Sequence, residues 1–153
     1  MKLTSQPLGF LLVDVARLLR RNFDGELAKG GLGLTAGEAR TLLRCGRYEA
    51  LGGLRQSVLA EIMSVEPMTL VGYIDRLEKA GLVTRVPDPA DRRAKLIRIL
   101  PAAHPVLAQI EEIAHRIIAE ATGALSEEET ERLRGTLAMI CDRLAGMGRD
   151  DGA

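Results

Sequence analysis

The chain has 153 residues, and 21 Lys+Arg balance 21 Asp+Glu, so its formal net charge is zero. That length suits one domain with a core that needs no staples, because roughly two thirds of the unfolded surface leaves water at this size. A hydrophobic share of 46% with 27% charged residues excludes wholesale disorder. Two cysteines, Cys45 and Cys141, cannot make a disulfide scaffold and suit a reducing compartment. Met1 to Gln6 lacks a basic stretch followed by an apolar signal core, and no apolar run approaches the ~20 residues of a membrane span. The expectation is a cytoplasmic protein with no membrane partner.

Zero net charge runs against a nucleic-acid partner only if the charge is evenly spread. It is not. Residues 1–54 carry 8 basic and 5 acidic side chains, residues 55–75 carry 1 and 3, residues 76–98 carry 7 and 3, and residues 99–153 carry 5 and 10. A short block is strongly basic and the C-terminal third strongly acidic. This is either two solvated faces of opposite sign or a phosphate-binding element compensated elsewhere.

In chain order, a first helix is predicted from about Leu8 to Leu27, with Leu8, Leu11, Leu12, Val15, Leu19, Phe23 and Leu27 spaced in threes and fours. Phe10, Val13 and Leu18 widen its apolar face beyond what one neighbour needs. Gly30-Gly31-Leu32-Gly33 ends it. A second helix opens at Thr35 and Glu38, which have capping-box spacing, and buries Ala39, Leu42 and Leu43. Ala50 to Leu54 reads as a loop. A short third helix spans about Gln56 to Met63, with Val58, Leu59 and Ile62 inward. Pro67 starts a fourth helix running to about Ala80, with Leu70, Ile74 and Leu77 inward and Gly81 as its stop.

Two β-type stretches follow, Leu82 to Val86 and Lys95 to Leu100, joined by the turn-rich, charged segment Pro87 to Ala94. A long fifth helix is expected from about Val106 to Leu125, with Val106, Ile110, Ile113, Ile117 and Ala121 on one stripe and Leu107, Ala114 and Ile118 beside it. Ser126 and Glu129 make a second capping box, opening a last helix that carries Leu133, Leu137, Ile140 and Leu144. Gly146 to Ala153 reads as a tail.

The third and fourth helices, joined at Ser64-Val65-Glu66, make a helix-turn-helix pattern, and the basic hairpin after them makes it winged. A helix about 10–12 Å across fits a major groove about 12 Å wide. The predicted fold is therefore mainly α, with a small β-hairpin wing. Three strings carry a family likeness: Leu59-Ala60; Asp75 to Val83; and Pro87 to Lys95, with Asp91-x-Arg93 at its tip. Through them the chain resembles the MarR family of winged-helix transcriptional regulators from about Leu8 to Met147.

The resemblance implies a single domain over 1–153, with a winged core at about 34–100 between dimerisation helices at about 6–29 and 102–147. It implies a homodimer and, by repeat of the recognition helix, an inverted-repeat operator with half-sites about 10 bp apart. Repression of a promoter, released by an effector, is the commoner family behaviour. Two positions depart from the family pattern. Gly72 stands where many members have Arg or another polar residue, and Pro101 to His104 replaces the usual Leu-Thr and Gly entry to the fifth helix.

With Leu70, Ile74 and Leu77 in the core, Met68, Thr69, Val71 and Gly72 face the groove. Thr69 can hydrogen-bond a base or a phosphate, and Met68 and Val71 can touch a thymine methyl. Pro67 holds the helix start at the groove wall. Arg76 is either a DNA contact or half of an internal salt bridge. Arg55 and Gln56 are candidates for the DNA backbone. Arg93 is the candidate for the minor groove, where negative potential favours Arg. Asp91 orients it, or else the two form a surface pair worth little. Arg92, Lys95 and Arg98 add phosphate attraction.

The resemblance also implies an effector site, for which Phe10, Asp14, Arg17, Cys45, Tyr48 and His115 are candidate walls. Cys45 is either plain core or a thiolate favoured by Arg44 and Arg47. His104 and His115 lack the neighbours a zinc site needs, so no metal and no cofactor is expected. There is no phosphate loop or nucleophile elbow, so an enzyme is not expected. The alternative is a winged-helix protein-interaction module without sequence-specific DNA binding.

Overall fold

The computed structural model describes residues 5–147, so most of the expected C-terminal tail and the first four residues lie outside the described residues. The chain divides into two compact units, Met1–Ile117 and Ile118–Ala153. The first contains helix α1 (Leu8–Lys29), α2 (Ala36–Arg47), a 3-10 turn (Glu49–Leu51), strand β1 (Leu54–Arg55), α3 (Gln56–Met63), α4 (Pro67–Lys79), β2 (Val83–Pro87), β3 (Lys95–Ile99) and most of α5 (Ala103–Ala121). The second contains the end of α5 and α6 (Glu127–Met147).

Helix starts follow local chemistry. At α2 the Thr35 hydroxyl accepts from the Glu38 N–H at 3.3 Å, and the Thr35 N–H donates to Glu38 Oε2 at 3.0 Å. At α6 the Glu129 N–H donates to Ser126 Oγ at 3.2 Å, and the Ser126 N–H to Glu129 Oε2 at 2.8 Å. Both close a capping box. Between α3 and α4 the direction changes by 113°, within the range of helix-turn-helix pairs. Ser64 makes that turn in the left-handed region (φ 51°). Helix α4 ends where Gly81 takes φ 72° and the Leu82 N–H reaches the Leu77 carbonyl at 3.0 Å, which swings the chain into β2.

The sheet is antiparallel in the order β1-β3-β2, with Val83 opposite Ile99, Arg85 opposite Ile97 and Leu54 also opposite Ile97. The expected hairpin is present, and a third strand stands where a loop was expected. A Cβ on Gly53 would lie 2.6 Å from the Ile97 carbonyl oxygen, so glycine permits this approach. The core of the first unit gathers Leu42 and Cys45 from α2, Leu59 from α3, Leu70, Ile74 and Leu77 from α4, Val83 and Ile97 from the sheet, and Leu107 and Ile110 from α5.

Two expectations change. Val58 is exposed rather than inward, because Leu59 and Ala60 already fill the buried face of α3. Helix α5 begins at Ala103, not Val106; Pro105 sits in its first turn, where no intrahelical N–H is required. Helix α1 buries only Phe23 and Leu27, leaving Leu8, Phe10, Val13, Val15 and Leu18 exposed. On α6, Leu133, Leu137, Met139 and Leu144 are exposed.

Candidate nucleic-acid interface

Helix α4 turns Leu70, Ile74 and Leu77 inward, which leaves its N-terminal turns open. Met68 is 78% exposed, Thr69 and Pro67 are exposed, and Val71 and Gly72 are half-buried. These five sit together on one element. Tyr73 lies against α2: a Cβ on Gly37 would be 2.3 Å from its ring, so the bare glycine makes room for the phenol. The Arg76 guanidinium lies 5.6 Å from the Tyr73 ring centroid. Its Nε donates to Glu38 Oε1, so the internal salt bridge weighed for Arg76 is present, while the side chain remains 56% exposed. Burial pushes the Glu38 carboxyl up, but the Arg76 and Thr35 hydrogen bonds outweigh it and hold it below its ordinary value.

The wing tip is shaped by two aspartates. Asp88 Oδ1 accepts from the Ala90 N–H at 2.8 Å, and Asp88 Oδ2 from Arg55 Nε at 2.5 Å. The Ala90 amide and then the Arg55 guanidinium hold the buried Asp88 carboxyl below the usual carboxylate range. Asp91 Oδ1 accepts from the Arg93 N–H at 3.0 Å, so Asp91 fixes the backbone from which Arg93 projects. Across the neck, the Asp88 N–H donates to the Ala94 carbonyl at 3.1 Å and the Ala94 N–H to the Asp91 carbonyl at 2.9 Å. Arg92, Arg93, Lys95 and Arg98 are all exposed, and none has an ion pair among the described residues. The eight basic groups of residues 55–98 thus divide into Arg55, Arg76 and Arg85, which are held internally, and five that are not, these four and Lys79.

Arg85 was absent from the residues singled out by sequence. From β2 its Nε donates to Gln56 Oε1 at 3.1 Å, its Nη1 to Glu78 Oε2 at 2.6 Å and its Nη2 to Asp75 Oδ1 at 2.6 Å. Its backbone N–H donates to Glu78 Oε1 at 3.1 Å. One side chain therefore joins the wing to α3 and α4. Asp75 and Glu78, three residues apart on the otherwise basic end of α4, were the available signal.

The six effector candidates are placed as follows. Phe10 and His115 are exposed, Tyr48 caps the end of α2 half-buried, and Asp14 pairs with Arg17 at 2.9 Å along α1. Of the two alternatives for Cys45 the plain core is the one present: it is buried among apolar side chains, and burial pushes its thiol up to about 12, while Arg44 and Arg47 point to solvent. An open groove of about 290 Å³ between the end of α1 and α5 is lined by Glu26, Lys29, Leu32, Gln109, Glu112 and Arg116 among others, and by none of the six. No group of three His, Cys, Asp or Glu able to hold a metal occurs among the described residues. Among those residues no single helix is long and apolar enough to cross a membrane.

The MarR family model matches residues 34–95, from the cap of α2 to the start of β3. The chain is similar over nearly its whole length to the crystal structure of MarR, with 25% identity, 98% of each chain covered and a TM-score of 0.79. It is similar to the transcriptional regulator PA3341 at 31% identity, covering 92% of this chain and 99% of that one, with a TM-score of 0.76. A MarR-family transcriptional regulator from Rhodococcus sp. RHA1 shares 28% identity over 89% of this chain and 96% of its own, with a TM-score of 0.71.

Proposed function

Because the chain belongs to the MarR family of winged helix-turn-helix transcriptional regulators, we propose that it is a cytoplasmic homodimeric repressor that binds a pseudopalindromic operator and is released by an effector. The observation that carries the DNA-contact assignment is the set of four exposed cations on the wing, Arg92, Arg93, Lys95 and Arg98, that have no ion pair among the described residues, together with the open N-terminal turns of α4. In this reading α4 enters the major groove. Thr69 hydrogen-bonds a base or a phosphate, while Met68, Val71 and the bare backbone at Gly72 approach the groove edge and Pro67 its wall. With so few polar groups on that face, DNA shape contributes much of the selectivity. Arg93 enters the minor groove from a backbone set by Asp91. Gln56, Arg92 and Lys95 contact phosphates, as do the outer donors of Arg55 and Arg76.

The winged core is assigned to about 34–100 and dimerisation to about 6–29 and 102–147. The exposed leucines of α1 and α6 support that assignment, since such apolar surface is covered in a stable assembly. The effector is assigned no residue beyond Phe10, Asp14, Arg17, Tyr48 and His115, as candidates. The protein-interaction alternative gains nothing from the wing, where a loss of DNA binding would leave no reason for four uncompensated cations.

Selection of duplexes from a random pool, followed by binding across a salt series, tests this. Log affinity is expected to fall linearly with log salt. Arg93→Ala should weaken binding across sequences, and Thr69→Ala should shift sequence preference. The absence of duplex binding even at low salt would overturn the reading, and a stable monomer in sedimentation would overturn the dimer.

A further inference from the structure

We propose that Arg85 is a positioning residue that turns the Gln56 amide outward as a phosphate donor while locking the wing to the recognition helix; this rests on the DNA-binding reading above. A guanidinium carries N–H donors and no acceptor. Arg85 Nε meets the Gln56 side chain at 3.1 Å, and only the amide oxygen can accept there. The Gln56 NH₂ group is therefore directed away from Arg85, with two donors and no bond to another side chain among the described residues. A phosphate offers only acceptors, so this orientation suits it and the flipped amide would repel it.

The other two guanidinium nitrogens hold Glu78 and Asp75 of α4, and the Arg85 backbone N–H holds the second Glu78 oxygen. Arg85 itself is only 21% exposed, which suits a residue that acts through others rather than one that touches DNA. Its charge offsets two carboxylates on the helix that approaches a polyanion. A lysine, with a single ammonium, cannot span Gln56, Glu78 and Asp75 in one plane.

A double-mutant cycle in the full-length protein tests this, using a fluorescent duplex enriched from a random pool by the wild type. Arg85→Met and Gln56→Ala are measured singly and together, with Tm recorded for each. Arg85→Met is expected to weaken binding by about tenfold or more when Gln56 is present, and by several-fold less in the Gln56→Ala background. Equal losses in the two backgrounds overturn the positioning role, because a purely structural contribution is indifferent to Gln56. Gln56→Glu keeps an oxygen for Arg85 but places a negative charge outward. Its Tm should hold while its affinity falls by about tenfold, and an undiminished affinity overturns the amide orientation. This arm decides alone if Arg85→Met does not fold. A wild type that binds no duplex at low salt overturns the DNA-binding reading itself, an outcome distinct from both.

Discussion

Glu38→Gln is expected to loosen the protein slightly and tighten its hold on DNA. Both oxygens of Glu38 are in use, Oε2 by the Thr35 N–H and Oε1 by Arg76. A glutamine retains one oxygen, enough for the helix cap, and presents its NH₂ to a guanidinium that cannot accept. Arg76 is thereby released. Its side chain is already more than half exposed, so the lost pair costs about 1 kcal/mol or less. For a chain of this size that corresponds to a Tm lower by about 2–4 °C. Arg76, whose charge Glu38 offsets in the wild type, then counts in full at its phosphate, which steepens the slope of log affinity against log salt by up to about 0.9. Fluorescence anisotropy over about 50–200 mM salt resolves such a change. A lower Tm with an unchanged slope would refute the reasoning, since Arg76 would then be released without reaching a phosphate.

Three further outcomes follow from the packing and the charge states. Ile74→Ala opens a cavity at a fully buried point of α4 and should cost about 2–5 kcal/mol, read as a lower urea midpoint with an unchanged slope. The Glu38 carboxyl titrates below 4.5 in the folded chain, so the unfolded chain binds more protons between that value and 4.5. Its contribution is complete above about pH 4.5 and is lost as pH falls through the folded value, a loss that Glu38→Gln should lack in urea titrations. Cys45, a buried thiol raised to about 12, should resist alkylation at neutral pH until denaturant is added; rapid native labelling at Cys45 would contradict its burial.

What was legible in the sequence was whatever is decided locally. Thr35 with Glu38, Ser126 with Glu129, and Pro67 mark helix starts because the bonds that make them span three residues or fewer. The core face of α4 was legible because Leu70, Ile74 and Leu77 keep helical spacing. Strand β1 was not, since two residues become a strand only by pairing with β3 more than forty positions later. The start of α5 was misplaced because Pro105 reads as a break, although a proline is tolerated in a first turn. The candidate interface divides the same way. The basic string at the wing was visible in the sequence. Which cations are held internally was not, because Arg76–Glu38, Arg55–Asp88 and Arg85–Gln56 join residues 38, 33 and 29 positions apart. Cys45 shows the limit from another side: the sequence left core and thiolate both open, and burial decides for a core thiol.

The two aspartates at the wing tip bear on the entropy of association. Asp88 and Asp91 each accept a hydrogen bond from the amide two residues on, and the neck bonds of Ala94 close the same loop. The tip is thus ordered before any partner arrives. A loop that folded on contact would lose about 1–2 kcal/mol of backbone entropy per residue at that moment. Calorimetry of duplex binding should accordingly lack the large negative heat capacity and ordering entropy of coupled folding. Asp88→Ala should restore part of that signature, even where the cations of the tip are unchanged.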